Sequence, residues 1–283
     1  MTDDASAILI EEGFEDQDFA SRGWYDNTVL TTTANEATSG SRSLEVHFNS
    51  GATRPTFGTG PRRLFAETRS VYLSYWVKYS ANWVGSGESF HPHEFHFVTN
   101  ADDQWVGPAF THLTTYIEHN YQDGGIPVLS VQDGKNIDTG RIGEDLTAVT
   151  EDRAVAGCNG DTDGYPRGCY PIGNGLYNNG KSWRAPGPSF RPTPGPGYKN
   201  DWHFVEAYFE LNSIVAGVGV ADGVVRYWFD GELLIDHSDV LLRTGAHPDM
   251  MFNQFLIAFY MGSGSPVDQT IWIDDLTVAT DRR

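Results

Sequence analysis

The sequence predicts an all-β fold, a sandwich of two antiparallel sheets with long loops, and three observations carry that expectation. The first is alternation. Val225, Tyr227 and Phe229 alternate with Arg226, Trp228 and Asp230, the period-two pattern of a strand buried on one face. The second is a turn signal: Asp230-Gly231 follows at once and Leu233-Leu234-Ile235 resumes the apolar run, as in a tight hairpin. The third is punctuation. Aromatic-rich runs from Asp201 to Ala279 each end on Gly, Asn or Asp, which suits sheet packed on sheet rather than strands alternating with helices.

The whole chain bounds the answer further. Its 283 residues suit one large β domain spanning residues 1–283, with strand-like stretches at both ends. No apolar run is long enough to span a bilayer, so no membrane partner is expected. Met1-Thr2-Asp3-Asp4 is too acidic for a signal peptide, so any leader would precede this numbering. The net charge is −19, with lysine only at Lys78, Lys135, Lys181 and Lys199, which argues against nucleic acid, whose phosphates need a basic surface. The same charge suits a secreted protein, extracellular or periplasmic, acting as a monomer. Cys158 and Cys169 sit in a Gly- and Asp-rich stretch, where a disulfide stapling the loop is expected, and that again implies an oxidising compartment.

In chain order, Ile8-Leu9-Ile10 reads as a first strand running into Gly13-Phe14-Glu15-Asp16. Ser43–Phe48 and Tyr72–Tyr79 are strands by alternation. Between them Arg54, Arg62, Arg63 and Arg69 form a basic cluster in an acidic chain, suited to hold a carboxylate through a guanidinium fork. Next come His91-Pro92-His93-Glu94-Phe95-His96-Phe97-Val98 and then Phe110–His119, which together carry five of the nine histidines. Strict alternation puts Glu94 and His96 on one face and His93, Phe95 and Phe97 on the other. On the second of these strands His112, Thr114, Tyr116 and Glu118 share a face, so neighbouring strands would line up Glu94, His96, His112, Tyr116 and Glu118. From Gln122 to Asn200 Gly, Pro, Asp and Asn dominate, which reads as loop excursions over a cleft with one strand pair near Val128–Val131.

The runs Trp202-His203-Phe204-Val205-Glu206, Val225–Leu234, Phe259–Pro266 and Trp272–Val278 resemble the second half of a concanavalin A-like jelly roll. They are most similar to its polysaccharide-lyase-like branch, which includes alginate and glucuronan lyases. Gly262-Ser263-Gly264 ahead of Asp274-Asp275 carries the likeness. The resemblance implies a polysaccharide or oligosaccharide partner and a β-eliminating lyase, which needs a base, an acid and a group that neutralises the uronate carboxylate. By position His96 would be the histidine and Tyr116 or Tyr260 the tyrosine, with Arg54, Arg62, Arg63 or Gln254 at the carboxylate. Met261 stands where these lyases often carry a lysine after the tyrosine. The likeness also implies a structural Ca2+ tying the first strand to the last through Glu12, Glu15 and Asp274.

Three other readings compete. A glycoside hydrolase would need two carboxylates, for which Glu94 with Glu118 or Glu206 is the available set. A binding protein would use the same row with Trp83, Trp105, Trp183 or Tyr116 as stacking surfaces. A transition-metal enzyme would use His91 and His93, two residues apart on one strand.

Overall fold

The computed structural model describes residues 6–88, 91–99, 113–120, 125–133, 169–172, 175–240, 242–243 and 248–283. Eighteen strands are present among them. In chain order they are β1 (Ile8–Glu12), β2 (Trp24–Asp26), β3 (Thr32–Thr33), β4 (Ser43–Phe48), β5 (Pro61–Thr68), β6 (Ser70–Tyr79), β7 (His93–Thr99), β8 (Leu113–Asn120) and β9 (Ile126–Asp133). There follow β10 (Cys169–Ile172), β11 (Gly175–Arg184), β12 (His203–Glu210), β13 (Ile214–Val215), β14 (Val218–Gly219), β15 (Gly223–Phe229), β16 (Glu232–Val240), β17 (Phe252–Tyr260) and β18 (Gln269–Ala279).

Two large antiparallel sheets result. The first runs β16-β15-β12-β6-β18-β4-β3, with β1 on β18, and the second runs β10-β11-β9-β8-β7-β17-β5-β2. The carboxyl third therefore feeds both sheets, as its alternation predicts: β12, β15, β16 and β18 enter the first, β17 the second. The Asp230-Gly231 hairpin is present, and both residues have positive φ (49° and 82°), the backbone this turn needs to follow the strands' twist.

The core lies between the sheets. Leu73, Tyr75 and Val77 of β6, Val205 and Phe209 of β12, and Ile271 and Ile273 of β18 meet Phe95 and Phe97 of β7 and Phe255 and Ile257 of β17. Tyr75 and Phe95 cross the gap edge to face at 4.7 Å, and Phe97 meets Phe209 at 6.4 Å. Gly60 allows β5 to lie close against β17, since a Cβ there would fall 1.4 Å from the Ile257 carbonyl oxygen.

Two expectations are corrected. Part of the Gln122–Asn200 stretch is sheet: β11 pairs with β9 and β10 with β11, extending the second sheet by two strands. Tyr177-Asn178-Asn179-Gly180-Lys181 shows no apolar alternation, so the pairing there follows the backbone ladder of β9 rather than a buried face. Cys158 and its expected disulfide, with Trp105, lie outside the described residues. The second correction concerns β7. Its register against β8 shifts between His93 and Phe95, and against β17 between Ile257 and Tyr260. A shift of this kind breaks the period of two. Glu94 thereby joins Phe95 in facing the core, and His93 turns to the outer face with His96.

Candidate functional site

Directly paired residues of an antiparallel ladder share a face. On the second sheet this draws a line of side chains across six strands: Tyr25 (β2), Arg62 (β5), Leu256 (β17), His96 (β7), Tyr116 (β8) and Ser130 (β9). The line is on the outer face, because Leu256 packs with Val98 apart from the core while its neighbours Phe255 and Ile257 point inward. One step along, His93 lies opposite both Glu118 and Tyr260. Gln254, two residues before Leu256, donates from Nε2 to the Tyr25 hydroxyl at 3.0 Å.

Around His93 the rings converge. Its centroid is 4.5 Å from His91, 4.8 Å from Tyr116, 5.5 Å from His96 and 6.3 Å from Tyr260, the last in a stacked arrangement. Hydrogen bonding assigns the tautomers. The Gly262 amide donates to His91 Nδ1 at 2.9 Å, so a neutral His91 carries its proton on Nε2 and donates it to His93 Nε2, 3.2 Å away. His93 Nδ1 lies 2.5 Å from Glu118 Oε1. Burial first, and the neighbouring His93 second, push His91 and His96 well below the usual imidazole range. His96 is therefore a neutral imidazole at pH 7, buried in the middle of the row.

The remaining candidates separate. Arg62 is buried in the row with its Nε 2.5 Å from Asp26 Oδ2 and its guanidinium 5.0 Å over the Tyr25 ring. Arg63 faces the other way, paired with Trp24 and Phe255. Arg54 is exposed in the loop between β4 and β5. That loop lies beside the turn after Tyr260, since the Met261 amide donates to the Thr53 carbonyl at 2.9 Å. Glu94 sits between the sheets and accepts hydrogen bonds from Tyr79, Tyr75 and His119. His112 lies outside the described residues. Sequence reasoning put His93 on the wrong face and did not name Tyr25. His93 was hidden by the β7 irregularity, and Tyr25 lies on a three-residue strand too short to show alternation.

The proposed metal ligands were tested by what they touch. Glu15 accepts from the Ser41 amide (2.9 Å) and hydroxyl (2.7 Å), and Asp274 accepts from the Thr38 amide (2.7 Å) and hydroxyl (3.0 Å) and from the Asp275 amide (2.9 Å). Calcium wants about six to eight oxygens around it, whereas these carboxylates are filled with N–H and O–H donors. Glu15, just after β1, and Asp274 of β18 fasten the 38–41 segment through these bonds. The His91–His93 pair does not fit a transition metal either. The Gly262 amide claims the His91 Nδ1 lone pair, leaving on Nε2 a proton where a metal needs a lone pair. Among the described residues no three His, Cys, Asp or Glu side chains converge on a metal position.

No family model matches the sequence, and no curated protein matches it. Solved structures do. A marine PL-14 alginate lyase from Aplysia kurodai superposes with a TM-score of 0.59 at 13% identity, over 98% of this chain and 100% of that one. The endo-β-1,4-glucuronan lyase of the fungus Trichoderma reesei gives 0.54 at 12% identity over 98% and 96%. The alginate lyase Aly36B, solved with an alginate tetrasaccharide, gives 0.53 at 14% identity over 98% and 96%. The fold is a polysaccharide-lyase-like jelly roll. In this jelly roll the outer face of the second sheet carries His96, Tyr116, Tyr260 and Arg62 of the side chains that the sequence singled out. At such low identity the likeness establishes the fold alone.

Proposed function

We propose that the protein is a secreted polysaccharide lyase that cleaves a uronate-containing polysaccharide by β-elimination on the outer face of the second sheet. The observation that carries this reading is His96, an imidazole kept neutral by burial and set in register between Tyr116 and, across Leu256, Arg62. A neutral imidazole can take the proton on the carbon α to the uronate carboxyl. The electron pair left there forms a double bond to the β carbon as the glycosidic C–O bond breaks, and a tyrosine hydroxyl protonates the departing oxygen. Tyr260, which stacks on His93, and Tyr116, paired with His96 across β7 and β8, are the tyrosines placed for that role. Glu118 and His91 flank His93, with Glu118 Oε1 2.5 Å from its Nδ1 and His91 Nε2 3.2 Å from its Nε2. Arg62 and Gln254 stand on the side where a carboxylate needs neutralising.

Hydrolysis is the weaker reading for a specific reason. It needs two carboxylates flanking the sugar bond, and Glu94, one of the expected pair, is spent in the core. The test is a screen on alginate, glucuronan, ulvan and neutral glucans, followed by absorbance of the unsaturated uronate and by release of reducing ends. Absorbance growth on a uronate polymer that His96→Ala abolishes is expected. Reducing ends without absorbance would mean hydrolysis, and binding without either product would mean a lectin-like protein.

A further inference from the structure

At the β2 edge of the second sheet a cavity of about 460 Å3 opens between Ser21, Arg22, Gly23, Tyr25, Arg63 and Leu64. Strand β2 covers β5 only from Pro61 to Arg63, so on that side β5 continues from Leu64 with no paired strand among the described residues. Gly23, whose φ of 86° suits glycine, leaves one wall without a side chain.

Two guanidinium groups line this space, and they are in different states. Arg22 is fully engaged: its Nε and NH2 groups donate to Glu12 at 2.9 and 3.0 Å, and NH1 to Asp16 at 2.5 Å. Glu12 is engaged in turn, accepting also from Trp24 Nε1 at 2.8 Å and the Phe14 amide at 3.0 Å. Arg63 is half-buried, yet among the described residues its side chain makes no ion pair and no hydrogen bond; its guanidinium lies 6.0 Å from the Trp24 ring. Glu12 and Arg22 act on Arg63 through space without bonding it, so its guanidinium donors are open to an anion. Burial draws its pKa below the usual guanidinium range, the condition in which an incoming carboxylate gains most from it.

We propose that Arg63 and this cavity form a distal carboxylate subsite that holds a uronate residue remote from the bond being broken. The inference rests on the reading that a polyuronate lies along the outer-face row. Arg63 is on the opposite face of β5 from the row, so the chain would reach it by turning over the β2 edge, where Tyr25 both ends the row and lines the cavity. From β7, which carries His96, to β2 is three strand spacings, roughly 14 Å, so only a chain long enough to reach the sheet edge can use the subsite.

The experiment is calorimetric titration of the whole protein with a ladder of alginate or glucuronan oligomers from disaccharide to octasaccharide. Affinity is expected to step up by about tenfold at one length, the gain of one charge-assisted pair. In Arg63→Gln the ratio of long-chain to short-chain affinity should fall to about one, and in Arg63→Lys it should recover in part. Neutral oligomers of matched length, titrated into the unaltered protein, should show no step, a check independent of how the variants fold. A step that persists in Arg63→Gln, the absence of any step, or a step with neutral oligomers would overturn the subsite. If the step depends on Arg63 while no unsaturated product forms, the subsite stands and the lyase reading falls. Product formation with no Arg63-dependent step would give the reverse.

Discussion

Glu94 is fully buried between the sheets, and its two oxygens accept from the Tyr79 hydroxyl (3.0 Å), the Tyr75 hydroxyl (3.3 Å) and His119 Nδ1 (2.9 Å). His119 Nε2 in turn lies 2.7 Å from the Tyr227 hydroxyl. Removing one member of such a buried network strands the rest. Glu94→Ala is expected to lower the unfolding free energy by about 3–5 kcal/mol, read from denaturant midpoints; a loss near zero would show that the network is not formed. His96 has its own signature. Its ring is neutral when folded, while in the unfolded chain it takes a proton near the ordinary value of 6.5. Below that pH the unfolded chain holds more protons, so the stability His96 contributes is intact above 6.5 and declines as pH drops toward the lowered folded value. His203 acts with the opposite sign: burial lowers its pKa, but the hydrogen bonds to Asp230 and the Tyr198 carbonyl, with the charges of Asp230 and Asp201, together outweigh this and the net shift is upward. The measurement is therefore a difference. The fall in melting temperature from pH 6.5 to about 5 should be smaller in His96→Gln than in the unaltered protein. If His96 is the base, the acid limb of kcat/KM should have its midpoint below 6.5, and a midpoint above it would contradict the neutral ring.

Among the elements, the β15–β16 hairpin was fully legible in the sequence because its determinants are local. Gly231 has φ 82° and open space where a Cβ would go, so Gly231→Ala should cost only the left-handed backbone term, about 1–2 kcal/mol. Gly60→Ala should cost more, since its Cβ would collide with the Ile257 carbonyl, and comparing the two in one denaturant series separates conformational from steric need. Strand β7 was legible as a strand but not in its facing. The shift at His93–Phe95 is a property of three strands pairing, and no residue within β7 announces it. Of the expected row, His96, Tyr116 and Glu118 share the outer face, the last two by strict alternation on β8, where pairing with β9 is unbroken, whereas Glu94 was carried into the core. Strands β10 and β11 were illegible because Tyr177–Lys181 shows no apolar alternation in the sequence, while the backbone ladder to β9 extends the sheet there.

At the scale of the whole molecule, a net charge of −19 meets a substrate proposed to be a polyanion. Long-range repulsion should slow encounter at low salt and fade once the Debye length shrinks. The association rate for a polyuronate is therefore expected to rise from about 10 mM to about 150 mM salt. A falling rate would mean that the Arg62–Arg63 edge, not the net charge, steers the chain. The termini are held in the same direction at every pH where carboxylates are charged, with Glu15 and Asp274 bound to the 38–41 segment, so chelators should leave the melting temperature unchanged. The central claim is elimination on the His96 face, and the most direct measurement is mass spectrometry of oligouronate cleavage in water enriched in heavy oxygen. Elimination predicts two fragments whose masses sum to that of the parent, no label in either, and loss of both fragments in His96→Ala. Fragments that together gain one labelled water would contradict it.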